Sequence, residues 1–430
     1  MNEKTSRTAE IRRIARVEQS RAERMLADLL LDLFAMRASD LRINYDQYSL
    51  NSLNGFFSCD GEDFFFKFHQ EEGEEDMTGE YYRADILANA GLPVDQPVHM
   101  SVLPGEQILI YRRRNDPRFS DVLRELDLTD DPEERTRAIE AERNLSTKLL
   151  AVYRETLHPI SVDEAAAEPI HRLFYERLID PATRSFPGGR FADFYMGKTF
   201  RFPGVELGWD EFSQLKFVIN GRRYGSSIGE LFHAAYVRLS PSRLADNGGV
   251  VAHGDAHNAN VWYTAGSGGK AQLSFFDPAF AGSNVPALLA EVKATFHNIF
   301  AHPFWLYDPA IASRMFKASM RRDADELHVE TDWKLTPVRS SLLEVKAKHL
   351  WRPLLGELKQ RALLPDDWRM VVRLALFLCP TLVMDLRAGA RSHTPASSLI
   401  AFCVAVMAGS PPEHGSDDIG RFLDMIDPES

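Results

Sequence analysis

Cysteine is scarce: three in 430 residues, Cys59, Cys379 and Cys403, far apart and each in an apolar stretch. None forms a CxxC pair, which argues against a disulfide framework or a cysteine zinc site and leaves three small buried hydrophobes. Long hydrophobic runs are lacking too. The longest, Leu374–Met384 and Leu399–Gly409, fall well short of the ~20 residues that cross a bilayer, so no membrane partner is expected. The first residues, MNEKTSRTAEIRRIARVEQ, are too charged for a signal peptide, and the expected location is the cytoplasm. There is no excess of basic charge: 50 Lys and Arg against 62 Asp and Glu give a net charge of −12. Such a field repels phosphates at long range and speaks against nucleic acid as a partner. Neither GxGxxG nor GxxxxGK[ST] occurs, and no internal repeat or low-complexity tract is found.

What is present is material for a core. Hydrophobic residues make up 44% and charged residues 26%, values typical of globular rather than disordered chains. From Thr8 to Met36 the chain is rich in Arg, Glu, Ala and Leu without Gly or Pro, which predicts one amphipathic helix. Between Leu41 and Arg114 the runs LRINYDQYSL, GFFSC and DFFFKFH, with the turn dipeptide Asp60-Gly61, predict a three-strand antiparallel meander. The helical stretch GEYYRADILANA follows and stops at Gly91 and Pro93. Val98–Val102 and Gln107–Tyr111 read as two more strands. Further on, Thr136–Leu157, Val162–Leu178 and Ser227–Leu239 read as helices and Pro181–Gly208 as a loop. Asn220-Gly221 reads as a hairpin turn, and most of the chain after about residue 286 as helical. Within it, EVKATFHNIFAHPFWLYD (Glu291–Asp308) reads as a core helix with polar edges.

The segment VAHGDAHNANVWY places His253, Asp255, His257 and Asn260 within eight positions, and the strand-like LSFF leads into Asp277. Two chemistries compete. His253 and His257, with Asp255, have the i, i+4 spacing of helical metal ligands, but His-Gly-Asp is a poor helix start and no third ligand has an obvious place. Alternatively the segment is a phosphoryl-transfer centre, which needs one carboxylate near the attacking hydroxyl and hard oxygen ligands for Mg²⁺. Asp255 suits the first role, and Asn260 and Asp277 the second.

The pattern H-G-D-x-H-x-x-N followed by an apolar strand ending in Asp resembles the aminoglycoside phosphotransferase and choline kinase-like family. The resemblance implies a two-lobed protein-kinase-like α+β fold, with a small β-rich N-terminal lobe and a large, mainly helical C-terminal lobe. It divides the chain into an N-terminal helical extension (1–39), a nucleotide-binding lobe (40–114) and a catalytic and acceptor-binding lobe (115–430). It implies an ATP- and Mg²⁺-dependent kinase acting on a hydroxyl of a sugar, amino alcohol or aminoglycoside-like small molecule. By position, Asp255 is then the catalytic carboxylate and Asn260 and Asp277 are the metal ligands. Lys67 in DFFFKFH holds the phosphates and Glu80 orients Lys67. The loop Ser49–Gly55, with Ser52, Asn54 and Gly55, covers the phosphates, and Tyr111 and Arg112 lead into the segment that meets the adenine. His253 is structural and His257 has no assigned role.

Where many relatives carry an acidic pattern after the metal aspartate, this chain reads Asp277-Pro278-Ala279-Phe280, so its acceptor cannot be copied from antibiotic-modifying members. The alternatives at this point are a pseudokinase-like nucleotide-binding module and a histidine-dependent metal hydrolase. The N-terminal helix and the residues after about 300 exceed what a kinase-like core needs. They are where acceptor choice or assembly into a homo-oligomer would reside.

Overall fold

Ser6 opens the first described element: its hydroxyl accepts a hydrogen bond from the Ala9 N–H and caps helix α1 (Arg7–Ala15). Helix α2 (Gln19–Phe34) follows and ends on Ala35 in the left-handed conformation (φ 56°). These come from a computed structural model that describes residues 6–44, 52–69, 83–101, 103, 105–266, 270–302 and 304–429. The single helix expected over Thr8–Met36 is thus two. The turn between them, where Val17 is 80% exposed, lets both pieces turn apolar faces to one core: Ile11, Ile14 and Ala15 from α1, and Ala22, Leu26, Leu29 and Leu30 from α2.

That core is closed by a five-stranded antiparallel sheet, order β1-β2-β3-β5-β4, of β1 (Ser39–Ile43), β2 (Ser52–Cys59), β3 (Glu62–His69), β4 (His99–Ser101) and β5 (Ile108–Arg112). Helix α3 (Ala84–Asn89) lies between β3 and β4 in the chain, so the expected order of three strands, helix, two strands is present. Alternation in β3 sends Phe64, Phe66 and Phe68 inward to meet Phe57, Ile108 and Ile110. Burying each such side chain contributes about 1.5–3 kcal/mol. Asp60 (φ 52°) and Gly61 (φ 82°) form the two-residue β2–β3 turn.

The chain divides into two compact units. One comprises the residues up to Asp85, Val94–Asp116 and Phe276–Ala279; the other comprises Ile86–Pro93, Pro117–Phe275 and everything from Phe280 onward. The first is the β-rich unit just described and the second is larger and mainly helical, an α+β architecture of the expected kind. In the second unit, helix α4 (Phe119–Thr129) and the long helix α5 (Pro132–Thr156) precede the shorter elements. The loop expected over Pro181–Gly208 instead holds a helix (Gly189–Tyr195) and the hairpin β6 (Thr199–Phe202) and β7 (Val205–Gly208). The helix expected over Val162–Leu178 is a short helix, Val162–Ala166, followed by two 3₁₀ turns.

Asn220 (φ 49°) and Gly221 (φ 76°) do form the hairpin turn between β8 (Lys216–Ile219) and β9 (Arg222–Arg223). Two antiparallel strand pairs, one a hairpin nested in the chain within the other, follow and hold Asp255 and Asn260 between their strands. They are built from β10 (Gly249–Ala252), β11 (Val261–Ala265), β12 (Ala271–Phe275) and β13 (Gly282–Pro286), with β10 paired to β13 and β11 to β12. A further hairpin, β14 (Ala318–Asp323) and β15 (Glu326–Thr331), joins β8 in parallel. Trp305, Trp351, Phe377 and Phe422 are fully buried in the helical remainder. Among the described residues no helix is long and apolar enough to cross a membrane.

Candidate functional site

Lys67 sits on β3 opposite Asn54 of β2 and Leu109 of β5. A central strand fixes its backbone, and its Nζ lies 2.5 Å from Oδ1 of Asp277, a residue 210 positions away and in the same compact unit. Asp277 follows β12 and takes a left-handed backbone (φ 54°), a conformation that costs a non-glycine residue of the order of 1 kcal/mol and that Asp tolerates better than most. Glu80, the expected partner of Lys67, lies outside the described residues.

The glycine loop expected over Ser49–Gly55 requires correction. Ser52–Gly55 belong to β2 and pair with Phe66–His69, and residues 49–51 lie outside the described part. Glycine at 55 has a packing reason: a Cβ there would lie 2.0 Å from the Arg42 carbonyl oxygen and 2.7 Å from the Phe66 ring. Asn54 is buried and its Oδ1 accepts from Asn44 Nδ2 at 3.0 Å. At the other end of the sheet Tyr111 packs on Phe65 (ring centroids 6.4 Å) and Arg112 pairs with Glu62 at 3.5 Å. The ladder runs one residue further, since the Arg113 N–H donates to the Asp63 carbonyl at 2.9 Å. Beyond Arg113, Arg114 is held by Asp95 and Asp116, each at 2.7 Å.

In the second unit the segment after β10 turns sharply. Gly254 has φ 76°, and a Cβ on it would lie 2.4 Å from the Phe280 carbonyl oxygen, so only glycine fits between His253 and Asp255. The turn is stapled by its own backbone: the His257 N–H donates to the Asp255 carbonyl (2.8 Å) and the Asn260 N–H to the His257 carbonyl (2.7 Å). Asn260 Nδ2 also donates to the Asp255 carbonyl at 3.0 Å, which leaves its amide oxygen as the atom for a hard cation. His253 Nδ1 accepts from the Asp255 N–H at 3.3 Å and its ring lies 5.2 Å from Phe275. His257 Nε2 is 3.8 Å from Asp255 Oδ2. His253 and His257 do not lie on a helix, and among the described residues no group of three or more His, Cys, Asp or Glu is placed to hold a metal ion.

Sequence reasoning missed Lys293. Its side chain is only 5% exposed and its Nζ lies 3.2 Å from Asp255 Oδ1. Burial raises the Asp255 pKa, but the Lys293 ammonium, then His257 and His253, outweigh it and hold the carboxyl below the usual range. Asp255 is therefore an anion at neutral pH. Lys293 and the nearby His297 occupy i and i+4, a spacing that puts polar groups on one face of an apolar helix.

Burial also sets the state of three histidines in this unit. It pushes His393 down to about 4, and holds His297 and His302 well below the ordinary imidazole value. The folded chain keeps these rings neutral while the unfolded chain protonates them near pH 6.5. Stability contributed above pH 6.5 is thus lost as pH falls toward the folded values, at about 1.4 kcal/mol per pH unit for each extra proton bound by the unfolded state. Urea midpoints should fall steadily from pH 7.5 to pH 5, and His393→Gln should make that slope shallower; a flat profile would contradict the burial.

The sequence matches no family model and no curated protein. Among solved structures the chain aligns with a thermostable mutant of aminoglycoside phosphotransferase APH(4)-Ia, at 13% identity over 93% of this chain and 98% of that one, with a TM-score of 0.40. It aligns with spectinomycin phosphotransferase APH(9)-Ia in complex with ADP and spectinomycin at 12% identity over 89% and 98%, TM-score 0.37. An ethanolamine kinase of Plasmodium vivax aligns at 11% identity over 99% and 94%, TM-score 0.38.

Proposed function

We propose that the chain is an ATP-dependent small-molecule kinase that transfers the γ-phosphoryl group to a hydroxyl acceptor. The observation that carries this reading is the Lys67–Asp277 pair. The lysine of a central strand and the carboxylate after a distant hairpin meet at 2.5 Å. A cation held on a rigid strand suits the nucleotide phosphates, and the Asp277 carboxylate and the Asn260 amide oxygen are each, in its own unit, a hard donor of the kind Mg²⁺ takes. Mg²⁺, when bound, would supply neutralisation of the charge that develops on the phosphates.

Asp255 accepts the hydrogen bond of the acceptor hydroxyl and orients its oxygen toward the γ-phosphorus. The acceptor O–P bond forms as the bond from the γ-phosphorus to the β–γ bridging oxygen breaks. The products are ADP and the phosphate ester, and the hydroxyl proton leaves by way of the Asp255 carboxylate. With its pKa lowered, Asp255 enters the reaction as the anion that this step requires. Glu80 is proposed to orient Lys67, and Tyr111 and Arg112 to lead into the segment that meets the adenine. Ser52, Asn54 and Gly55 act from a strand rather than a loop.

The test is calorimetric titration of the full chain with Mg·ATP and with the non-hydrolysable analogue, alongside Lys67→Met. Wild type should bind. Lys67→Met should weaken binding about tenfold or more, the value of one charge-assisted contact to phosphate. No heat with wild type would sink the kinase reading.

A further inference from the structure

The two oxygens of the Asp255 carboxylate have unlike surroundings. Oδ1 is sealed from solvent and lies 3.2 Å from the Lys293 ammonium. The side chain as a whole keeps 14% exposure, and on its Oδ2 side the His257 Nε2 stands 3.8 Å away on a side chain 24% exposed. Oδ2 is therefore the oxygen open to a hydroxyl. Lys293 belongs to the helical turn Val292–Thr295, which the π-helical turn Phe296–Phe300 continues. Its backbone is pinned on both sides. Two residues before it, Glu291 accepts from the Tyr153 hydroxyl at 2.6 Å and from Lys346 Nζ at 3.1 Å. Two residues after it, Thr295 Oγ1 accepts from Trp351 Nε1 at 2.8 Å. Further on, the Asn298 carbonyl accepts from Arg339 Nη1 at 2.6 Å. Such buried bonds are the support that a precisely placed charge needs.

We propose that Lys293 is a positioning residue for phosphoryl transfer: it anchors Asp255 through Oδ1 and leaves Oδ2 as the single oxygen that receives the acceptor hydroxyl. This rests on the kinase reading and adds a residue to that site. As the acceptor O–P bond forms and the bond to the β–γ bridging oxygen breaks, the hydroxyl proton passes to Oδ2, and Lys293 keeps its own protons. Two arguments support the assignment. The first is that stability does not account for the lysine. It interrupts a run in which Val292, Ala294 and Phe296 are fully buried. Among the described residues Asp255 is its one ion-pair partner, and a buried pair is commonly replaced by apolar side chains without loss of stability. The second is geometry. The last torsion of an aspartate is broad, so a free carboxylate presents either oxygen over a wide range of angles. An ammonium fixed beside Oδ1 removes that freedom, and a misplacement of about 1 Å in a reacting group costs about a hundredfold in rate.

The experiment follows ADP release from Mg·ATP by the full chain, with water, glycerol, D-ribose, ethanolamine and kanamycin as acceptors, and carries the fastest of them into the variants. Each variant is measured well below its melting transition, so that lost stability does not read as lost rate. Lys293→Met should lower kcat at least about tenfold with the KM for ATP within about threefold. In an Asp255→Asn background the same substitution should change the residual rate by less than about threefold, because a residue that acts only through Asp255 then has nothing left to position. Should Lys293→Met fail to fold, Lys293→Gln, which keeps a donor and drops the charge, is read in its place with an expected loss of about fivefold or more. A smaller loss than these, or an equal loss in both backgrounds, overturns the role of Lys293 while leaving the kinase reading in place. A wild type that does not bind Mg·ATP, or that releases no ADP with any of the acceptors, overturns the kinase reading itself.

Discussion

Asp255→Asn is expected to lower phosphoryl transfer by about two to four orders of magnitude, the usual worth of a positioned proton acceptor, while the affinity for Mg·ATP changes by no more than a few-fold. The substitution keeps the shape of the side chain and removes its charge, so the acceptor hydroxyl loses the anion that orients it. It also leaves the Lys293 ammonium, 5% exposed, without the carboxylate now 3.2 Å away. An uncompensated buried charge is costly, so the variant should be less stable as well as slower, and the two effects have to be separated. Asp255→Asn combined with Lys293→Met removes both charges. That double variant should regain stability and stay inactive. If turnover survives in Asp255→Asn at near-normal rates, Asp255 is not the catalytic carboxylate, and the phosphoryl-transfer roles given to its neighbours fall with it.

Much of this arrangement was legible in the sequence because the signals are local. The aromatic alternation of DFFFKFH fixes β3 and leaves Lys67 as the polar exception. The short-range pattern of His253, Asp255, His257 and Asn260 is tied by hydrogen bonds within eight residues, and Gly254 is dictated by the approach of Phe280. Asn220-Gly221 is a hairpin on turn chemistry alone. What was not legible depends on distant partners. The hairpin β14–β15 has a weak alternation of its own and is completed by parallel pairing with β8, a partner about a hundred residues earlier in the chain. The break between α1 and α2 has no Gly or Pro to announce it and is imposed by the sheet that both helices cover. Within Pro181–Gly208 the high Gly and Pro content hid the strands β6 and β7 on either side of the turn at Gly204 (φ 75°).

Lys293 and His297 were read as polar edges of a core helix. Their i, i+4 spacing was a usable signal, because two polar residues on one face of an apolar run need a buried partner. That face becomes meaningful only once the Asp255 turn is brought against it. The same fold sets Asn298 Oδ1 to accept from the Asn258 N–H at 2.7 Å, a second tie, beside the Lys293–Asp255 pair, between this helical run and the Asp255 turn.

Lys346→Met should be the most destabilising of these substitutions. The Lys346 Nζ sits between Glu142 Oε1 (3.0 Å) and Glu291 Oε2 (3.1 Å), with all three side chains at most 3% exposed. The Tyr153 hydroxyl donates to the other Glu291 oxygen at 2.6 Å. Burial presses the Lys346 pKa down, but the two carboxylates outweigh it and hold the ammonium charged. Removing that cation leaves two carboxylates facing each other out of water, a loss of about 3–5 kcal/mol. At about 2–4 °C per kcal/mol for a body of this size, the melting temperature should drop by roughly 6–20 °C. The triple variant Glu142→Gln, Glu291→Gln, Lys346→Met removes the charges together and should recover most of the loss, because a neutral cluster has no desolvation debt. A melting temperature within about 2 °C of wild type for Lys346→Met would show that the triad carries no such weight. The consequence extends to the site, since Glu291 stands two residues before Lys293 and at the start of the turn that presents both Lys293 and His297. The buried triad thus fixes the element against which Asp255 is held, and its partial loss should appear as a lower kcat at temperatures well below unfolding.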